Sequence, residues 1–531
     1  MTFVKENNIV LIGFMASGKS RLGKLLAKRL DYELIDCDER IVSQEGMPIK
    51  DIFAHKGEGY FRSLESSVLK SLLGQKNKII VTGGGAPLFF DNAMLLKNLG
   101  HIFFLDANFS LIAQRLLKNS NRPLASISND HDWERLKSLY HYRKPAYEQL
   151  GTTIDVNQED QTKACEHIIR CFKSLNILES MDKTMVRSAK DYPIYHHNKI
   201  MDFLPDIIDS LGLRHHRCVI ITNNNLKNIL KDTIDSLITA LNRPCDVVTF
   251  NDGEQYKNIN SVEHIHEQMF HLGCNRQTLV LALGGGNVGD VAGFAAGVFM
   301  RGIPFIQIPT TLLSMVDASI GGKTGIDNQF GKNLIGLFYN PKAVVIDPQF
   351  LTSLPKDDFA CGMAEIIKHA IIGDQDLFYD LFNSPPIEHV IKRALKVKAD
   401  IIFDDPHEKT IRAHLNLGHT FAHAIETVSN YSIKHGTAVA IGLMLATKLS
   451  KQLGILERDF EDDLARLLSQ YHLPTKLPDP INPSDVVAAM KHDKKRDQGG
   501  LNFIVPKRLG EVVIHRVCEN EALRSMNGGH N

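Results

Sequence analysis

Two kinds of hydrophobic run alternate along the chain. Short unbroken apolar blocks, among them Asn8 to Ile12, Lys78 to Thr82, Cys218 to Thr222, Asp246 to Phe250 and Thr278 to Leu283, predict strands buried on both faces, as in a parallel sheet. Between them run segments of helical spacing, the first marked by Leu22, Leu25, Leu26 and Leu30. Tyr32 to Ile35 reads as another strand, and Tyr192 to His196 restarts the strand pattern after a stretch without it. That stretch, Asn176 to Lys190, mixes charged residues with isolated apolar ones and reads as a short connector. From Leu354 onward the spacing turns helical. The pattern predicts an α/β protein in two parts joined near residue 180, the second part α/β at first and then all-helical.

Composition narrows the partners. With 531 residues, 43% hydrophobic and 23% charged, there is room for two or three cores. Lys plus Arg equals Asp plus Glu at 61 each, so no global field recruits nucleic acid or an anionic membrane, and small molecules are the expected partners. The N-terminus runs into a strand, no apolar stretch approaches the roughly 20 residues of a membrane span, and a cytoplasmic protein is expected. The eight cysteines include no Cys-x-x-Cys pair, which suits reduced thiols.

The first strand runs straight into Gly13-Phe-Met-Ala16-Ser17-Gly18-Lys19-Ser20 and then, from Arg21, into a helix. This is a P-loop in its proper context: loop amides cradle phosphates, Lys19 reaches the β/γ oxygens and Ser20 offers its hydroxyl to Mg²⁺. Asp36 and Asp38 read as two carboxylates on one side of a strand end. Phe61-Arg62-Ser-Leu-Glu65 opens a helix, and Gly83-Gly84-Gly85 closes the strand before it. In this order the motifs resemble shikimate kinase across residues 8 to 160. The resemblance implies a three-layer P-loop kinase with a parallel sheet, using ATP with Mg²⁺. It implies that Asp38, Arg62, Gly84 and Arg143 bind shikimate, that Asp36 serves the Mg²⁺ shell, that Arg115 lies near adenine, and that Arg122 is the lid residue closing over the phosphate in transfer. Lys19, Asp38 and Arg122 are the implied catalytic groups. The family usually has glycine where this chain has Ala16, a residue that reaches positive φ only at a cost. A gluconate-type or nucleotide-type kinase and a non-catalytic nucleotide sensor are the rival readings.

In the second part, Gly284, Gly286 and Gly289 satisfy Gly-x-Gly-x-x-Gly between a strand and a helix, the setting a dinucleotide pyrophosphate needs. The acid expected about 20 residues later is missing, whereas Asp252 and Glu254 lie upstream; a nucleotide site is indicated, a standard dehydrogenase is not. Arg301, Lys323, Lys332 and Asn333 gather around glycine-rich turns and suit an anionic ligand. His419 and His423 are four apart on a predicted helix, so both rings leave one face and form a candidate cation site, with His435 on a loop beyond.

From Tyr192 to about Val513 these segments resemble 3-dehydroquinate synthase: Asp252-Gly-Glu-Gln-Tyr-Lys257, Gly284-Gly-Gly-Asn-Val-Gly-Asp290, Ile308-Pro-Thr-Thr-Leu-Leu313, Gly321-Gly-Lys-Thr-Gly325 and Gly418-His-Thr-Phe-Ala-His-Ala-Ile-Glu426. The resemblance implies NAD⁺ held by Asp252, Gly253, Glu254, Gln255, Tyr256, Lys257, Gly286, Asn287, Val288, Gly289, Asp290, Thr310, Thr311, Lys332 and the run Phe350, Leu351, Thr352, Ser353. It implies Zn²⁺ or Co²⁺ on Glu365, His419 and His435, which moves His423 from the metal to the substrate. Substrate contacts would come from Asp317, Lys323, Asn333, Lys368, Lys398, Arg412, Asn416, His423 and Lys495, with Arg301 reaching a second subunit of a homodimer. Lys323, Lys368 and His423 would be catalytic. The implied reaction turns 3-deoxy-arabino-heptulosonate 7-phosphate into 3-dehydroquinate by transient oxidation, loss of phosphate, return of hydride and ring closure. The expected domains are residues 1–177 (kinase) and 182–531 (synthase), the latter with a Rossmann-like NAD half at 182–348 and an all-helical metal half at 349–531. A glycerol-type dehydrogenase or another sugar-phosphate cyclase is the alternative for this part.

Overall fold

The computed structural model describes residues 7–89, 91–118, 130–157, 160–180, 182–186, 191–213, 216–241, 243–405, 410–493 and 501–526. Contacts divide the chain into two compact units, Met1–Ser180 with Asp206–Gly212, and Met181–Pro205 with Leu213–Asn531.

The first unit is built on five parallel strands, β1 (Ile9–Ile12), β2 (Glu33–Asp36), β3 (Lys78–Val81), β4 (His101–Asp106) and β5 (Thr152–Asp155), in the order β2-β3-β1-β4-β5. All four residues of β1 are fully buried, as expected of a central strand covered on both faces. Helix Lys19–Leu30 starts directly after the loop that leaves β1, so the P-loop lies where strand order reverses, the usual place for a ligand in an open α/β sheet.

The second unit has a seven-stranded sheet ordered β6-β7-β14-β11-β10-β8-β9, from β6 (Asp182–Val186), β7 (Tyr192–His196), β8 (Cys218–Asn223), β9 (Cys245–Phe250), β10 (Leu279–Gly284), β11 (Phe305–Pro309) and β14 (Ala343–Ile346). Only β6 is antiparallel to its neighbour. A separate ribbon pairs β12 (Lys323–Asn328) with β13 (Gly331–Phe338). Helices then dominate, chiefly Lys356–Gly373, Ile387–Asp404, His419–Val428 and His435–Gln452.

The structure corrects four local readings. Residues 176–190 are not a connector throughout: helix Gln161–Ser180 runs on to its end and β6 follows, with Val186 buried at the sheet edge and its neighbour Met185 exposed. Asp38 does not share a strand end with Asp36; it lies in the first turn of helix Cys37–Glu45, which Asp36 caps by accepting from the Asp38 amide. His435 is not on a loop but opens helix His435–Gln452. The helical half is not all-helical: β15 (Leu501–Arg508) and β16 (Glu511–Val517) form a hairpin packed on that helix, its Phe503-Ile-Val505 core too short to stand out against helical spacing.

The eight cysteines are free thiols. Among the described residues no helix is long and apolar enough to cross a membrane.

Candidate active sites

In the first unit the P-loop is held from several sides. Lys19 Nζ donates to the carbonyls of Gly13 and Phe14, both at 2.9 Å. Arg115 donates to the carbonyls of Ala16 at 3.1 Å and Ser17 at 3.0 Å. These contacts fix Ala16 at φ 58°, in the left-handed region. The Ser20 hydroxyl donates to Asp36 Oδ2 at 2.8 Å, which joins the two groups the sequence suggested for Mg²⁺. Arg21 stays exposed on the helix.

Beside the loop lies a buried charge cluster. Arg62 is 7% and Glu65 1% exposed, and Arg62 Nη1 donates to Glu65 Oε2 at 2.6 Å. The guanidinium lies 4.2 Å from the centre of the Phe89 ring. Burial, with the nearby Asp38 charge, pushes the Glu65 carboxyl up to about 7 although Arg62 and Arg143 oppose the shift. The triple glycine beds this cluster: a Cβ on Gly83 would clash with Glu65 Oε1 and lie 2.9 Å from Asp38 Oδ1, and one on Gly85 would lie 2.6 Å from Arg62 Nη1. Arg143, also buried, hydrogen-bonds Tyr147, whose hydroxyl donates to the Gly84 carbonyl. Two guanidinium groups and a carboxylate around a glycine turn can clamp a small carboxylated polyol. Glu65 had no role in the sequence reading, though its spacing of three from Arg62 was the available signal. Arg122 lies outside the described residues.

In the second unit the loop after β9, the start of helix Gly286–Val298 and the β13 strand meet. Lys257 Nζ donates to Asp290 Oδ2 at 2.7 Å and to Asn333 Oδ1 at 2.5 Å; Asn287 donates to the Gly253 carbonyl at 3.1 Å; Lys332 Nζ is 3.4 Å from Glu254 Oε1. Burial lifts the Asp290 carboxyl to about 6 against the pull of Lys257. Asn223 donates to Asp252 at 2.7 Å and was missed in the sequence. The Thr310 amide donates to the Gly284 carbonyl at 3.0 Å, and the buried Thr310 hydroxyl has no hydrogen-bond partner. Phe350 to Ser353 form a turn in which the Thr352 hydroxyl donates to the Gln349 carbonyl and the Ser353 hydroxyl to the Phe350 carbonyl.

The same unit holds an ionic centre in which Glu365 and Lys368 are fully buried and Asp317 is half-buried. Glu365 and Lys368, on helix Lys356–Gly373, form an i, i+3 pair. Lys368 Nζ is also 4.0 Å from Asp317 Oδ2, and Asp317 accepts from Lys398, whose Nζ donates to the Asp317 carbonyl as well, at 2.6 Å. The surrounding cations overcome burial and hold the Asp317 carboxyl well below the usual range. Arg412 is buried and donates to the Gly321 carbonyl at 3.2 Å.

The Glu365 carboxylate pairs with Lys368 through Oε2, while Oε1 faces His419 Nε2 at 3.6 Å and His435 Nε2 at 3.4 Å. These three residues form one group able to hold a metal ion. His419 Nδ1 donates to the Leu417 carbonyl at 3.2 Å, which leaves Nε2 as the lone-pair nitrogen, and burial first, then Lys368, keep the ring neutral, its pKa down at about 3. The donor set of a carboxylate and two imidazoles suits a divalent zinc-like ion. Asp317, Glu365 and His369 make a second such group, but the Lys368 ammonium already stands between its two carboxylates. His423 is exposed, its ring 5.5 Å from that of His419 and 6.3 Å from that of His435. Lys323 and Arg301 are exposed, Asn416 closes the turn Ile411–Asn416, and Lys495 lies outside the described residues. Glu426 and His369, neither given a role from sequence, border this centre.

Comparison with known proteins gives the same division. Residues 15–173 match the shikimate kinase family, 247–361 the 3-dehydroquinate synthase N-terminal family and 362–496 the 3-dehydroquinate synthase C-terminal family. The chain is 45% identical over 274 residues to the 3-dehydroquinate synthase of a Nitratiruptor species, covering 50% of this chain and 78% of that protein. It is 38% identical over 353 residues to that of Pseudoalteromonas atlantica, covering 65% and 98%. A solved 2-epi-5-epi-valiolone synthase from Streptomyces hygroscopicus with NAD⁺ and Zn²⁺ bound is 25% identical with a TM-score of 0.58, over 65% of this chain and 98% of that one. The chain therefore belongs to the 3-dehydroquinate synthase family and carries a shikimate kinase domain ahead of it, joining two activities of the shikimate pathway in one polypeptide.

Proposed function

We propose that the second unit works as a metal- and NAD⁺-dependent 3-dehydroquinate synthase with Glu365, His419 and His435 as metal ligands. The observation that carries this is the fully buried Glu365 carboxylate, whose Oε2 is held by Lys368 while its Oε1 faces two imidazole nitrogens. When bound there, a divalent ion would lend Lewis acidity to a substrate oxygen and the dinucleotide would accept and return a hydride. The Asp252–Lys257 loop, Gly286 to Asp290, Thr310, Thr311, Lys332 and the Phe350–Ser353 turn are the proposed dinucleotide contacts. Lys368, Lys398, Arg412, Lys323, Asn333, Asn416, Lys495 and Asp317 would orient the polyhydroxy acid and hold the leaving phosphate, and His423 would move a proton at its exposed ring. The solved 2-epi-5-epi-valiolone synthase is less similar to this chain than the two 3-dehydroquinate synthases, at 25% against 45% and 38% identity.

The first unit, within residues 1–177, would bind ATP with Mg²⁺ through Ala16 to Arg21, Asp36, Arg115 and Arg122, and shikimate through Asp38, Arg62, Gly84 and Arg143. Lys19 and Arg122 would neutralise the phosphate in transfer, and Asp38 would orient the accepting hydroxyl. The synthase, from residue 182 on, would form a cytoplasmic homodimer with Arg301 reaching the second subunit. The exposed apolar strand β13, with Phe338 62% and Leu334 61% exposed, supports such a partner. Zinc content tests the metal reading. His435→Ala and His419→Ala are expected to purify without zinc and His423→Ala to retain it; equal zinc in all three would overturn the ligand set.

A further inference from the structure

Glu426 is 6% exposed and its two carboxylate oxygens face different partners. On one side His435 Nδ1 donates to Oε2 at 3.4 Å. On the other, Lys332 Nζ lies 3.9 Å from Oε1. Lys332 is in turn 3.4 Å from Glu254, in the loop that follows β9, and 4.4 Å above the centre of the Tyr431 ring. The Tyr431 amide donates back to the Glu426 carbonyl at 2.7 Å, and Asn430 and Tyr431 both have positive φ, 51° and 60°. The turn that ends helix His419–Val428 is thus bent so as to place an aromatic face under Lys332.

We propose that Glu426 is a positioning residue that couples the metal centre to the dinucleotide loop. By accepting from Nδ1 it fixes the tautomer and ring plane of His435, so that Nε2 points at Glu365; a carboxylate behind a ligating imidazole commonly strengthens metal binding 10- to 100-fold. With its other oxygen it draws Lys332, and through Lys332 the Glu254 loop, toward the same helix. Ordering either end orders the other, and the coupling is reciprocal by linkage.

This inference rests on His435 being a metal ligand, and the test separates the two. Zinc affinity is measured by chelator competition on the full chain, with and without NAD⁺, for the parent, Glu426→Ala, Glu426→Gln, Glu426→Asp and His435→Ala. Thermal melts of the metal-free proteins identify any variant that fails to fold. In Glu426→Ala the zinc dissociation constant is expected to rise about 10- to 100-fold. NAD⁺ is expected to tighten zinc binding at least about 5-fold in the parent and to have no such effect in Glu426→Ala. Glu426→Gln, whose amide oxygen still accepts from Nδ1 but carries no charge for Lys332, should keep most of the zinc affinity and lose the NAD⁺ effect. Glu426→Asp should recover part of both. Parent zinc affinity in a folded Glu426→Ala would overturn the proposal, as would an NAD⁺ effect that survives in it. Parent zinc affinity in His435→Ala would instead overturn the ligand reading beneath it.

Discussion

Ala16 occupies a backbone position that glycine fits better, and replacing it should show how rigidly the P-loop is held. Its φ of 58° costs an L-residue about 1–2 kcal/mol. The strain persists because Arg115 pins the carbonyls of Ala16 and Ser17 while Lys19 pins those of Gly13 and Phe14. Ala16→Gly removes the strain but frees the unfolded chain, an opposing effect of about 0.4–1 kcal/mol. The net expectation is a gain of about 0.5–1 kcal/mol, or roughly 1–4 °C in the melting temperature of a unit this size. The assay is a thermal melt followed by tryptophan fluorescence. Trp133 is the one tryptophan in the chain and packs edge-on against Phe109 at 6.3 Å, so it reports the kinase unit alone. Ala16→Val is the control: a β-branched side chain at positive φ is a true outlier and should lower the melting temperature. A fall of more than about 2 °C for Ala16→Gly, together with no change for Ala16→Val, would show that the loop does not hold this residue in the left-handed region.

Three further outcomes follow from the same contacts. Glu65 has its carboxyl lifted to about 7 by burial. Below its unfolded value near 4.5 both states are protonated, whereas above about 7 the folded state must bury the charge, so its contribution to stability falls as pH rises between those values. Urea melts read by Trp133 should therefore show Glu65→Gln gaining on the parent by on the order of 3 kcal/mol from pH 4 to pH 8; a pH-independent difference would contradict the burial account. Gly83→Ala places a methyl against Glu65 and Asp38, which should raise the KM for shikimate on the order of 10- to 100-fold and leave the KM for ATP within about twofold; equal effects on both would sink the reasoning. In the other unit a Cβ on Gly442 would clash with the Gly418 carbonyl oxygen, next to His419. Gly442→Ala should lower synthase-unit stability by about 1–3 kcal/mol and weaken zinc binding, checked by calorimetry and chelator competition; unchanged values would mean the two helices separate without strain.

What could be read from the chain follows from how local each signal is. The P-loop was legible because strand, glycines, lysine and helix are consecutive, and the structure places them in that order between β1 and helix Lys19–Leu30. The α/β class was legible because buried parallel strands are continuous apolar blocks. The departure at Ala16 was visible in one residue, and its φ is what a glycine position requires. By contrast, His419 and His423 share a helix face, and spacing alone made them a pair; Glu365 and His435 come to the site from two other helices, a long-range fact that only the family resemblance supplied. Glu65 and Glu426 stood inside quoted motifs without a role, since nothing local says that one backs Arg62 and the other His435. The hairpin β15–β16 and strand β6 were hidden because their few apolar positions fit either spacing.

The central claim is that two independent active sites lie on one chain. A paired assay tests it most directly: ADP release with ATP, Mg²⁺ and shikimate, and phosphate release from 3-deoxy-arabino-heptulosonate 7-phosphate with NAD⁺ and Zn²⁺, on the parent, Lys19→Ala and His419→Ala. The account predicts both activities in the parent, loss of ADP release alone in Lys19→Ala and loss of phosphate release alone in His419→Ala. Loss of both activities in either folded variant, or phosphate release untouched by His419→Ala, would contradict it.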